Sequence, residues 1–303
     1  AQDLPLNISR EILQKDRHIE LIRKRLTKKV LDVLADIKDA DLDRYKKFHA
    51  EFGRALKEGI YSDSKNREQL LNLALFRSTA GEDLTTLDGY LERAVEGQGA
   101  IYYLTGETID KLEKSPHLEA FKKKGVEVLL LTDPVDEVWL TSVNDYKEKE
   151  FKSAAGGDIE LGSEEERQEQ KKAHEKQAKE SASFLSWLGG QLPDVKEVKV
   201  SQRLTDSAVC LVNDEQSMSP NLEKLMKAMG QTPPKSQRIL EVNLDHPLIT
   251  GLKQGFESKS GDSSLADTAK LLYGIALLSE GGEIESPGDF GRLLTQALSQ
   301  KLS

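Results

Sequence analysis

The hydrophobic period of this 303-residue chain changes near Ala100, and that change restricts the folds open to it. Before it, apolar residues recur at helical spacing. Ile12, Ile19, Ile22, Leu26, Val30, Val33 and Ile37 make one stripe, with Arg17, Arg23, Lys24, Arg25, Lys28 and Lys29 on the other face as a solvated cationic side. Tyr45, Phe48, Phe52 and Leu56 make a second stripe that Gly59 closes, and a third helix is expected over 67–76. After Ala100, residues 101–105 read as a β-type run and 126–131 as a strand apolar but for Glu127, with helices between them. Strands separated by helices predict a parallel βαβ unit with a right-handed crossover. Doubly wound sheets place ligands at strand C-termini, here Gly106 and Asp133. Neither a phosphate loop nor an acidic pair at metal spacing accompanies them, so this sheet reads as structural.

The small-residue run Ala154-Ala155-Gly156-Gly157-Asp158 predicts a hinge, dividing the chain into domains at 1–155 and 156–303. Beyond it, an almost wholly polar stretch from Glu164 to Glu180 leads to Phe184, Leu185, Trp187 and Leu188, the pattern of one helix solvated first and docked last. Strands near 196–201 and 208–212, a helix near 220–230, a strand at 239–243 and three further helices follow. The expected fold class is α/β in its first sheet and α+β overall, helix-rich. A small helical cluster and a βαβ parallel-sheet unit precede a separate α+β domain that ends in a helix pair.

Three stretches carry candidate function. At the start, Pro5 and Asn7 hold the backbone out of a helix that Ser9 caps, placing Arg10 and Gln14 four residues apart on one face. A cation there opposes the helix dipole. Spacing leaves two readings open: a surface arginine, or a guanidinium that converges with free N–H groups on a phosphate. In the second stretch, Leu222, Leu225, Met226 and Met229 share one helix face with Met218 just ahead. That face fits core packing or a surface that adapts to unlike partners. In the third, Leu265, Leu272, Ile275 and Ala276 belong to a stripe too wide for a helix that buries one side, and Phe290, Leu294 and Leu298 lie on the last helix. Such a pair folds back on its own domain or completes a four-helix bundle with a second copy. Gly274, Gly281, Gly282 and Gly291 work against rigid helices there.

A net charge of −9 argues against a nucleic-acid binder. No apolar run approaches membrane-spanning length, and the five histidines and one cysteine are too scattered to suggest a metal site. The single Cys210 fits a reducing compartment. The chain opens Ala-Gln without an initiator methionine, so an excised piece of a longer protein is expected.

The run Asp3-Leu4-Pro5-Leu6-Asn7-Ile8-Ser9-Arg10-Glu11-Ile12-Leu13-Gln14 closely resembles the catalytic loop in the middle domain of the ninety-kilodalton heat-shock chaperones, the bacterial HtpG type included. The stretches 98–107, 128–137, 203–206 and 221–228 resemble the same family. The resemblance implies an ATP-dependent chaperone that binds and remodels client proteins. Arg10 would reach the γ-phosphate of ATP, held with Mg by a separate N-terminal domain; Gln14 would support it, and Asn7 matches a nearby family asparagine. It implies client contact through Met218, Leu222, Leu225, Met226 and Met229, and more weakly through Trp139, which stands one position from the tryptophan of bacterial relatives. It also implies a homodimer built on the last two helices. The intact protein would be an ATPase of the bacterial cytoplasm, and this chain alone would be inactive with no nucleotide bound. The absence of an ER-retention tetrapeptide or an acidic Met-Glu-Glu-Val-Asp tail points to the bacterial members. The competing reading is a non-enzymatic dimeric scaffold built from the same helices.

Overall fold

A computed structural model describes residues 17–213, 218–232, 237–258 and 263–302. Three helices come first: α1 (Arg17–Ala40), α2 (Leu42–Ser62) and α3 (Arg67–Leu73). The side chain of Asp41 caps α2 by accepting from the Arg44 N–H at 3.0 Å. The predicted stripe on α1 does not become its packed face. Leu31 and Leu34 are buried, whereas Ile22, Leu26, Val30 and Val33 are exposed. Helical spacing fixes which residues share a side but cannot say which side a neighbour covers.

The third helix stops at Leu73, short of the expected end, and Phe76 begins β1 (Phe76–Ser78), which hairpins into β2 (Gly81–Thr85). Then follow α4 (Leu87–Glu92), β3 (Ala100–Thr105), α5 (Ile109–Glu113), a 3-10 turn (Pro116–Leu118), α6 (Glu119–Lys124), β4 (Leu129–Leu131), α7 (Pro134–Leu140), β5 (Asp145–Tyr146) and β6 (Lys149–Ser153). Gly125 ends α6 with φ +66°, a left-handed value that suits glycine. The six-stranded sheet has the order β2-β1-β4-β3-β6-β5. Its centre is parallel, β3 with both β4 and β6, and its outer pairs are antiparallel. The predicted βαβ unit is therefore the middle of a larger sheet whose short outer strands carried no strong alternating signal.

Strand alternation divides the packing. Ile101, Leu129 and Leu131 join the helical cluster and Trp139 on one face, while Tyr102, Leu104 and Leu130 meet Leu112, Leu118 and Phe121 on the other.

The second half begins with α8 (Glu164–Glu180), which buries no residue, and α9 (Ala182–Gly190), which buries Phe184, Leu185 and Leu188. These are two helices rather than one, separated at Ser181, whose hydroxyl receives Lys253 at 3.0 Å. A three-stranded sheet of order β7-β9-β8 follows, from β7 (Val195–Val200), β8 (Val209–Val212) and β9 (Arg238–Val242), with α10 (Pro220–Ala228) between the last two. The chain continues through α11 (Pro247–Glu257), α12 (Ser263–Ser279) and α13 (Pro287–Leu302).

The expected hinge is pinned. Ala154 is fully buried, and Gly156 bridges to Asn213, whose N–H donates to Ala155 O at 3.1 Å. The buried Arg203 guanidinium donates to Ala154 O at 2.6 Å and to Gly157 O at 2.5 Å while pairing with Glu241 of β9. A short distance away, the Glu119 carboxylate accepts the successive N–H groups of Thr205, Asp206 and Ser207 at 2.6, 2.8 and 3.1 Å. Consecutive amides converging on one anion form a backbone nest, here filled from the first half of the chain. Small residues at 154–157 allow close approach at this joint; they do not leave it free.

Candidate functional site

Asn7, Arg10 and Gln14 lie outside the described residues. The candidate surfaces that can be placed are α10, the terminal helix pair and the ground between α10 and the sheet of the first half.

Ser219 caps α10 by accepting from the Leu222 N–H at 3.0 Å, and Pro220 starts the first turn, where its missing N–H costs nothing. No residue of α10 is buried. Met218, Leu222, Leu225 and Met226 are half-buried, and Met229, just past the helix, is 66% exposed. Polar contacts seat the helix on both sides. The Ser219 hydroxyl donates to Glu137 Oε2 of α7 at 2.7 Å. Lys224 Nζ donates to Glu107 Oε1 at 2.6 Å and to Gly281 O, in the turn between α12 and α13, at 2.7 Å. Arg238 adds an ion pair to Glu223 of α10 and another to Glu280. The hydrogen bonds from Lys111 and Lys224 hold the Glu107 carboxyl down at about 2. Burial pushes the Glu137 carboxyl up, against the hydrogen bonds of Thr105, Ser219 and Asn221.

Trp139 is withdrawn from any accessible surface. It is fully buried, its indole N–H donates to Asp136 Oδ1 at 2.8 Å, and the rings of Phe76, tilted, and Phe151, edge-on, pack against it with centroids at 6.2 and 5.4 Å. Trp139 is thus part of the core that joins the helical cluster to the sheet.

The terminal helices divide into two sets. Leu272 and Ala276 are fully buried among Phe184, Leu188 and Leu240 of their own domain, and Leu265 packs half-buried beside them. Ile275, Leu278, Leu294 and Leu298 remain exposed, between 38 and 55%. Phe290 is half-buried against Gly274, where a Cβ would stand 2.4 Å from the ring. Gly274 thus lets the two helices pack closely rather than loosening them.

Glu107, Glu137 and Lys224 were not singled out by sequence reasoning. The contacts that bring them to α10, Ser219 to Glu137 and Lys224 to Glu107, span 82 and 117 residues, and neither spacing nor composition signals contacts at such range. Among the described residues, no group of His, Cys, Asp and Glu is placed to hold a metal ion, and no helix is long and apolar enough to cross a membrane.

Comparison with known proteins fits this arrangement. The chain is 50% identical over 311 residues to the chaperone protein HtpG of Nocardia farcinica, which covers 100% of the chain and 48% of that relative. It is 50% identical over 302 residues to the chaperone protein HtpG of Rhodococcus jostii, covering 99% and 47%. Against the chaperone protein HtpG of Mycobacterium tuberculosis strain H37Rv, identity is 51% over 306 residues, covering 100% and 47%. The chain thus spans about half the length of the curated relatives it matches. The family described as Hsp90 protein matches residues 1–303, and the chain belongs to it.

Proposed function

We propose that this chain is the client-binding and dimerising part of an ATP-driven chaperone of the bacterial HtpG type, working in the cytoplasm. Unfolded or partly folded proteins meet it along α10, through Met218, Leu222, Leu225, Met226 and Met229. Two copies join through the exposed faces of α12 and α13. Arg10, supported by Gln14 and Asn7, stabilises charge on the γ-phosphate of ATP carried with Mg by another domain of the intact protein. Nucleotide supplies the driving reaction there, and the residues of this chain complete the site.

The observation that supports this reading best is the apolar surface on two neighbouring elements, α10 and the terminal pair, in a chain of this family. A helix with no buried residue, held by ion pairs and presenting methionine, suits partners of varied shape. Replacing Met226 and Met229 together with serine is expected to weaken capture of an unfolded protein about fivefold or more. Circular dichroism and dimer mass should remain those of the parent. Undiminished capture by that folded variant would remove α10 from the client surface.

A further inference from the structure

α10 has nine residues, and none of them is buried. Its inward face is Asn221, Lys224, Leu225 and Ala228, at i, i+3, i+4 and i+7, which border a cavity of about 270 Å³. Across the cavity stand Leu131, at the end of β4, and Pro134, at the start of α7. That volume equals about nine waters at roughly 30 Å³ each, so α10 lies over the sheet without closing against it. A face that does not close gains little from burial. What seats the helix is polar.

These polar contacts run in two directions. Toward the first half, the Ser219 and Asn221 side chains hydrogen-bond the Glu137 carboxylate, and Lys224 Nζ donates to Glu107 Oε1 at 2.6 Å. Toward the terminal helices, the same Nζ donates to Gly281 O at 2.7 Å, and Arg238 pairs with both Glu223 and Glu280. One ammonium thus joins α10 to the loop after β3 and to the turn between α12 and α13. Both side chains of the Lys224–Glu107 pair meet solvent, 39 and 45% exposed, and such pairs are weak and screened by salt. Breaking it strands no charge, because Lys111 still holds Glu107 Oε2 at 2.5 Å. A contact so placed fixes the helix in one position and gives way readily.

We propose that α10 is a latched strap: Lys224, gripped by Glu107 and Gly281 O, keeps Leu225 turned toward Leu131 and Pro134, and loss of that grip releases the helix and bares its inner face. The latch withholds part of the surface that meets unfolded protein, since Leu225 belongs to that surface while Met229 stands 66% exposed. This consequence rests on the client reading given above; the latch itself does not. Once released, the helix does not persist by itself, because nine residues fall short of the roughly 12–15 that an isolated helix needs. Release therefore exposes its backbone amides to exchange.

The test is amide hydrogen exchange on the whole chain, comparing the parent with Lys224→Met, Glu107→Gln and the double variant. Amides of 222–229 should exchange about two- to fivefold faster in each single variant, with those of β3 and β4 unchanged. The double variant should be no faster than Lys224→Met, because both substitutions remove the same contact. Salt at about 1 M, where the screening length is near 3 Å, should speed exchange in the parent by a similar factor and hardly affect the variants. Capture of an unfolded protein by Lys224→Met should tighten about two- to fivefold as well. Faster exchange without tighter capture upholds the latch and counts against α10 as the client surface. Unchanged exchange at 222–229, additive effects of the two substitutions, or a rise spread evenly over the second half would overturn the latch.

Discussion

Arg203 and Glu241 meet fork to fork in the interior, Nε to Oε2 at 2.9 Å and Nη2 to Oε1 at 3.1 Å, with the arginine 1% exposed. The same guanidinium reaches the carbonyls of Ala154 and Gly157, so one side chain ties the end of the first sheet to the second. Arginine suits this place because its planar donors serve several acceptors at once; lysine offers a point charge.

Arg203→Met should therefore destabilise the chain by about 3–5 kcal/mol, because Glu241 is left buried without its cation. Adding Glu241→Leu should recover most of that loss, since the cost lies in the stranded charge rather than in the missing pair. Urea denaturation of the two variants checks this. If the single variant unfolds like the parent, the joint is not held here.

Much of the fold was legible from the residues alone. The parallel pairing of β3 with β4 follows from two apolar runs separated by helical sequence. The strand pair Val209–Val212 and Arg238–Val242 stands where the expected strands do. What was hidden depends on long-range contacts. β1 and β6 are strands through pairing with the distant β4 and β3, and β5 is a two-residue strand held by its hairpin with β6. The run at 154–157 has the composition of a hinge, and only Arg203 and Asn213 reveal the hydrogen bonds it makes to the second half. Apolar periodicity could not divide Leu272 from Ile275, one inside and the other outside.

That division carries a prediction about assembly. Ile275→Ser combined with Leu298→Ser alters side chains that are already exposed, so it should leave the thermal midpoint of the folded chain nearly unchanged. In sedimentation across a concentration series it should shift the proposed dimer toward monomer. Leu272→Ala, by contrast, opens a cavity in the domain core and should cost about 2–5 kcal/mol of stability. A double variant that sediments like the parent would place the contact between copies elsewhere.

Arg10 is tested in the intact protein, where the proposed nucleotide domain is present. Arg10→Ala should lower ATP turnover by about a thousandfold, the lower end of what an arginine finger contributes. Nucleotide affinity should stay close to that of the parent, because the interaction forms with the transition state. Equal turnover in the variant would return Arg10 to the bland role of a surface cation.

Two buried histidines give the fold a definite acid limit. His49 Nε2 accepts the Leu75 N–H at 3.0 Å, a role only the neutral ring performs, and burial, reinforced by Lys57, lowers its pKa to about 4. Burial, with Arg203 nearby, lowers His117 to about 3. Unfolded, each ring titrates near about 6.5. Above that value both states are neutral and the full contribution is present. As pH falls below it, the unfolded chain gains protons that the folded chain refuses, so stability declines toward the folded values. Between pH 6.5 and pH 5 each histidine should remove about 2 kcal/mol. Denaturant titrations across that window should show the decline, and His49→Gln with His117→Asn should flatten it whatever their effect at neutral pH. An equally steep decline in the double variant would assign the acid sensitivity to other groups.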